Sequence, residues 1–143
     1  MRFCWLVLAA LAGACSDAKP VPRGLRVPLP DGWTANAAAS GVLSVGPKGR
    51  VVLTLERRTA VLPSVEALRE AAEAEGAVVV RGSGSADSTT LRYAKASAYG
   101  LLTVRTLESG AQLLCASTPE AEEDELESAE TLCAGVRLEP VAR

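Results

Sequence analysis

The feature that most constrains this chain is its punctuation. Between residues 25 and 117, apolar runs of strand length are cut every few residues by glycine, proline, aspartate or serine, and only one window there carries helical spacing. The clearest unit is VLSVG (42–46), the turn PKG and VVLTLERR (51–58), which reads as a hairpin with Val51, Leu53 and Leu55 on one face. Upstream, LRVPL (25–29) reads as a strand and PDG (30–32) as a turn leading into Trp33, while TANAAAS (34–40) reads as a loop with one helical turn. Downstream, AVVVR (77–81) is a strand and GSGSADS (82–88) a flexible turn. TTLRYAKASAY (89–99) and LLTVRTL (101–107) are strands joined around Gly100, and a turn at 108–110 leads into AQLLCAS (111–117).

Two windows switch to helical period. In the first, Ser64 caps the helix, Glu66 sits in its first turn, Val65, Leu68 and Ala72 line one side, and Gly76 ends it. In the second, Thr118 is placed to cap and Pro119 to occupy the first helical position. Glu120, Glu122 and Glu123 then suit the positive end of the helix dipole. Leu126, Ala129 and Cys133 recur at helical spacing and point Cys133 inward, Gly135 stops the helix, and VRLEP (136–140) reads as a short strand or tail. The order β-β-β-α-β-β-β-β-α, with short links, predicts an α+β fold: an antiparallel sheet of about six to seven strands with two helices packed on it. It occupies one domain at 25–140, followed by a tail at 141–143.

The amino terminus has a different character. Arg2 is followed by an unbroken apolar run of ten residues from Phe3 to Ala12, with no acidic residue before Asp17. A bilayer-spanning helix needs about 20 such residues, so the run matches the short core of a cleavable export signal at 1–14. Two processing readings compete. Ala12, Gly13 and Ala14 suit an ordinary signal peptidase, and LAGAC (11–15) resembles a bacterial lipobox, in which the cysteine is lipidated and becomes the new amino terminus. Cysteine arithmetic favours lipidation: with Cys4 removed, Cys15, Cys115 and Cys133 would leave one odd thiol in an oxidising compartment. The resemblance implies several acyl chains on Cys15, palmitate among them, and several chains anchor firmly where one does not. Residues 15–24 then form the lipidated cysteine and an extended tether, reaching at most about 30 Å at roughly 3.3 Å per residue. Ser16 stands where the lipobox resemblance would place an inner-membrane retention aspartate, which favours the outer membrane.

Cys115 lies on the strand before the last helix and Cys133 within that helix. They are either a disulfide clipping helix to sheet, the preferred reading, or two buried thiols. Closing a loop of that size stabilises by about 3 kcal/mol in the chain-entropy model.

Composition excludes more than it assigns. The chain has no histidine, which removes Ser-His-Asp and Cys-His activation and the commonest transition-metal ligand. With no close cysteine pair, neither a zinc site nor any other metal or cofactor is expected. The net charge of −2 becomes −3 once Arg2 is lost, and no concentrated basic face argues for nucleic acid. GSGSADS precedes a strand rather than a helix and so lacks the geometry of a phosphate loop, and GPKGR (46–50) fails the same way. EEDELESAE (122–130) reads as a solvated helix face because a helix splays its carboxylates instead of converging them on calcium. Trp33 reads as packing over one end of the core.

The element order, the opening LRVPLPDGW (25–33) with its PDGW hallmark, the helix after the third strand and the closing strand-helix pair resemble the Mog1/PsbP-like group across 25–140. That resemblance implies an α/β/α sandwich on an antiparallel sheet and supplies no catalytic residues. The expectation for function is a membrane-anchored envelope lipoprotein acting as a non-enzymatic binding or accessory module, with an envelope protein or small ligand as partner. A freely secreted or periplasmic binding protein differs only in the fate of Cys15. An enzyme using carboxylates such as Asp31 and Asp87 is the reading from another class.

Overall fold

The structure, a computed structural model, describes residues 24–58, 62–108 and 110–139. The signal segment, Cys15 with its tether up to Arg23, and the tail all lie outside the described residues.

Nine strands and two helices are described: β1 (Leu25–Arg26), β2 (Trp33–Ala37), β3 (Leu43–Pro47), β4 (Leu53–Arg58), α1 (Val65–Ala74), β5 (Val78–Gly84), β6 (Ser88–Lys95), β7 (Ala98–Thr106), β8 (Gln112–Ser117), α2 (Glu123–Gly135) and β9 (Arg137–Leu138). Seven of them form one antiparallel sheet in the order β2-β3-β4-β8-β7-β6-β5. The amino-terminal meander runs from one edge to the centre. The chain then crosses through α1 to the far edge and walks back, so that β4 and β8 pair in the middle with Leu55 opposite Cys115. β1 and β9 make a separate two-stranded ribbon that ties the ends of the domain together, with Arg26 opposite Arg137.

The two helices lie on opposite faces, which gives the layered α+β arrangement expected. Val65 of α1 sits over Gly82 and Gly84, where an added Cβ would come within 3.0 Å of it. Arg92, whose neighbour Leu91 faces the α1 side, reaches α2 instead. Successive strand residues alternate faces, so the two helices cannot share one. The main core lies under α2: Leu43, Val45, Leu53, Leu55, Leu101, Leu113 and Cys115 from the sheet meet Leu126, Ala129, Leu132, Cys133 and Val136, all at most 1% exposed. α1 buries no residue fully and covers only the β5–β6 end.

Several boundaries differ from expectation for identifiable reasons. Residues 33–37 form an edge strand, not a loop, because Ala35 is buried against Val45 while Thr34 and Asn36 face outward. GSG at 82–84 is strand, with bare backbone that lets α1 approach, and only 85–87 turn. The hairpin between β6 and β7 turns at Ala96 and Ser97, Ala96 taking φ 56°, and Gly100 lies inside β7. An alanine in left-handed backbone leaves no compositional mark. α2 begins at Glu123: Glu122 is the cap, forming a reciprocal box with Glu125, whereas Pro119 sits in the preceding turn. The helix includes Gly135, where an added Cβ would lie 2.9 Å from Pro28 Cγ, so the close approach of the 27–30 loop explains that glycine. Ser64 does cap α1, its Oγ accepting from Ala67 N at 3.0 Å, and Gly76 closes the helix at φ 93°.

Candidate functional site

A polar concavity runs along α2 where it faces β5–β7. Glu123, Glu127, Glu130 and Ala134 form one stripe of the helix at near-heptad spacing and look across at the strands. A bulge between Val79 and Arg81 sets Arg81 directly opposite Arg92 on the α2 side. Two like charges across a strand pair repel. Glu130 resolves the conflict, because its Oε1 accepts from Arg81 at 2.9 Å and from Arg92 at 3.0 Å.

This triad divides the cleft into two small cavities. Toward the amino end of α2, a space of about 320 Å³ is bounded by Val80, Arg81, Arg92, Tyr93, Tyr99, Glu123 and Glu127. Val80 and Tyr99 leave apolar surface in its lining, with Val80 63% exposed. Toward the carboxyl end, a space of about 340 Å³ has the Ser88, Thr90 and Thr103 hydroxyls on its floor and Arg105 and Arg137 at its end. Thr103 donates to Thr90 Oγ1 at 3.2 Å.

Arg105 is the least expected residue of the site. From β7 its Nη1 donates to the carbonyls of Cys133 and Val136, both at 2.8 Å, closing the carboxyl end of α2. Arg137 does the same from outside, its Nη1 donating to Ala134 O at 3.2 Å and Val136 O at 3.1 Å. Two cations at a helix carboxyl end complement its dipole. Burial first, and then the charge of Arg137, push the Arg105 pKa below its ordinary value, against the opposing pull of Asp87 and Glu108. In the sequence Arg105 is one charge in an alternating strand, and only the helix end arriving above it reveals its use.

The disulfide ties the carboxyl-terminal part of this helix to the sheet. Cys115 is bonded to Cys133, with Cα atoms 6.4 Å apart, and both are fully buried. Cys115 is in register with Thr103, so the cross-link lies beside the floor of the second cavity and holds the helix turn that supplies Glu130 and Ala134. At the other end of α2, the Arg50 guanidinium from the β3–β4 turn clasps both Glu125 carboxylate oxygens and donates to Glu120 O. That hydrogen bond, helped by one from the Glu122 amide, holds the Glu125 carboxyl below its usual range.

A third hollow, about 590 Å³ and more open, lies on the other flank of α2 between Pro28, Pro30 and Thr131, Leu132.

The remaining residues singled out above fall apart spatially. Asp31 is exposed in the turn before β2, and Asp87 is exposed in the β5–β6 hairpin, where its Oδ1 accepts from Ser85 Oγ at 3.1 Å. Asp87 does share the second cavity with a carboxylate, Glu130, but that group is the counterion of Arg81 and Arg92. Trp33 packs half-buried against the core. Among the described residues, no three histidine, cysteine or acidic side chains converge on a metal-sized point, and no helix is long and apolar enough to cross a membrane.

Comparison with protein-family profiles and with curated protein sequences finds no match. Among solved structures, the chain is similar to the solution structure of cyanobacterial PsbP (CyanoP) from Synechocystis sp. PCC 6803, at 14% identity, covering 88% of this chain and 98% of that one with a TM-score of 0.49.

Proposed function

We propose that this chain is an exported bacterial lipoprotein, anchored by lipid on Cys15, whose single domain binds a ligand or envelope partner and does not catalyse. The observation that carries the reading is the buried Cys115–Cys133 disulfide. Such cross-links persist in oxidising compartments outside the cytoplasm and are rare within it. That pairing uses both cysteines of the domain, so the remaining thiol after signal removal is Cys15, which the lipobox-like LAGAC assigns to acylation. The proposal carries outer-membrane sorting and a domain in the periplasm or at the cell surface, held off the bilayer by residues 16–24.

Binding is favoured over catalysis by what the cleft offers. Its arginines are engaged with Glu130 or with helix carbonyls, which suits recognition of charge. The one hydroxyl hydrogen-bonded to a cleft carboxylate among the described residues, Ser85 on Asp87, is exposed in a hairpin turn. The competing reading has one observation in its favour, the sharing of a cavity by Asp87 and Glu130. A carboxylate enzyme would need one of the pair to act as an acid, and Glu130 is committed to two guanidinium groups. A secreted or periplasmic binding protein remains the alternative if Cys15 carries no lipid.

The test is Cys15→Ser in the full chain, expressed in a bacterium and followed by fractionation. The native chain is expected in the membrane fraction and the variant in the periplasm or medium. Identical distribution of the two would overturn the anchor.

A further inference from the structure

The geometry points to the cavity between Arg105, Arg137 and the Ser88–Thr90–Thr103 floor as a binding site for a phosphate-type oxyanion. The inference rests on the reading of this domain as a binding module and names the chemistry that the module recognises.

Capping the end of α2 needs one cation. Here two guanidinium groups donate to the same carbonyl, Val136 O, at 2.8 and 3.1 Å. Each makes those contacts through Nη1 alone. Among the described residues, the Nε and Nη2 groups of both arginines make no hydrogen bond, which leaves the two forks that fit a tetrahedral or planar oxyanion side by side. Bringing like charges together at a partly dry site is unfavourable without an anion between them.

The surroundings supply the rest. Three hydroxyls line the floor, and Thr103 is 4% exposed, so its oxygen is held in place rather than sampling solvent. Glu130 contributes no free negative charge, since Arg81 and Arg92 together outweigh it. Glu108 acts on both arginines and Asp87 on Arg105, but only through space: among the described residues neither carboxylate accepts a hydrogen bond from them. The free guanidinium donors and the hydroxyls therefore share one cavity of about 340 Å³, whose size suits a small anion or a headgroup and not an extended polymer.

Phosphate of this kind comes either as a soluble ion or ester, or as a lipid headgroup at the membrane surface. The test is a titration of the exported protein with inorganic phosphate at constant ionic strength, read by amide chemical shifts at residues 88–90, 103–105 and 134–137. Saturable shifts confined to those residues are expected. Arg137→Gln and Arg105→Lys should each weaken binding roughly tenfold, as loss of a charge-assisted fork implies. Lys48→Gln, which removes an equal charge at a remote turn, should leave it unchanged, and the dispersion of each variant's spectrum shows whether it is folded. Vesicles of phosphatidylcholine with and without phosphatidylglycerol identify the source. Competition by the anionic vesicles alone assigns the site to headgroups, and no competition assigns it to soluble phosphate. Linear, non-saturating shifts, or equal affinity in the native protein and both arginine variants, would overturn the inference. Failure here leaves the Cys15 fractionation result standing, and the reverse is also true.

Discussion

Gly100 shows how much one residue position decides in this protein. It stands opposite Tyr93 across the β6–β7 pair, and the Tyr93 ring occupies the space where a Cβ would be. A glycine within a strand is ordinarily weakening, and here the aromatic ring restores the covered surface. Gly100→Ala should therefore destabilise by about 1–3 kcal/mol, the usual range for overpacking, measured by chemical denaturation. Tyr93→Ala in the same background should make the alanine better tolerated, since the collision is with the ring. Glu125 offers a second residue-scale test. Its carboxyl titrates below its ordinary value because Arg50 binds the charged form, so the stabilisation is fully present above the unfolded value near 4.5 and is lost as pH falls through the depressed folded value. Glu125→Gln should be less stable than the native protein at pH 7, and the difference should shrink below about pH 4.5. A difference that stays constant down to pH 2 would mean that the pair contributes nothing ionic.

Among the elements, α2 carries the most. Its inward stripe closes the core, its lateral stripe forms one wall of the cleft, and the disulfide joins it to β8. Replacing Cys115 and Cys133 together with alanine should cost about 3 kcal/mol by loop-closure entropy and lower the midpoint of thermal unfolding, without abolishing the fold. Loss of the cleft's arginine-carboxylate contacts in that variant would show that the cross-link also positions Glu130. This helix also marks what the sequence made legible. Leu126, Ala129 and Cys133 announce its buried side, and placing one cysteine on a strand and the other on that side favours the pairing with Cys115 over two buried thiols. The apolar alternation of β4 and β8 was equally plain. The first turn of α2 is hidden because Pro119 imitates a helix start, whereas the Glu122–Glu125 box and the Arg50 clasp fix the true one, and a clasp from 75 residues away has no local signal. The same holds for Gly82, Gly84 and Gly100. Each is explained by a side chain arriving from another element, Val65 or Tyr93, so composition alone suggested turns. The cleft was invisible in sequence for this reason: Arg81, Arg92, Arg105 and Arg137 look like ordinary exposed charges until the sheet and α2 bring them to one carboxylate and one helix end.

For the whole molecule, layering separates the tasks. The α2 face holds the core and the charged cleft, and the α1 face is lightly covered, with no fully buried residue on its helix. The β1–β9 ribbon brings residue 24 beside residue 139, through a hydrogen bond from Glu139 N to Gly24 O at 2.6 Å, so the described chain begins at the ribbon that follows α2. Arg137 of the proposed anion site belongs to that same ribbon, opposite Arg26. A lipid anchor at Cys15 would then keep the anion site within a tether's length, about 30 Å, of a bilayer. The most direct test of this account is the intact mass of the protein recovered from membranes, before and after reduction and alkylation. The account predicts a chain beginning at Cys15 with added acyl mass, and two alkylatable thiols that appear only after reduction. An unmodified Cys15 on a soluble protein, or thiols that react without reduction, would contradict it.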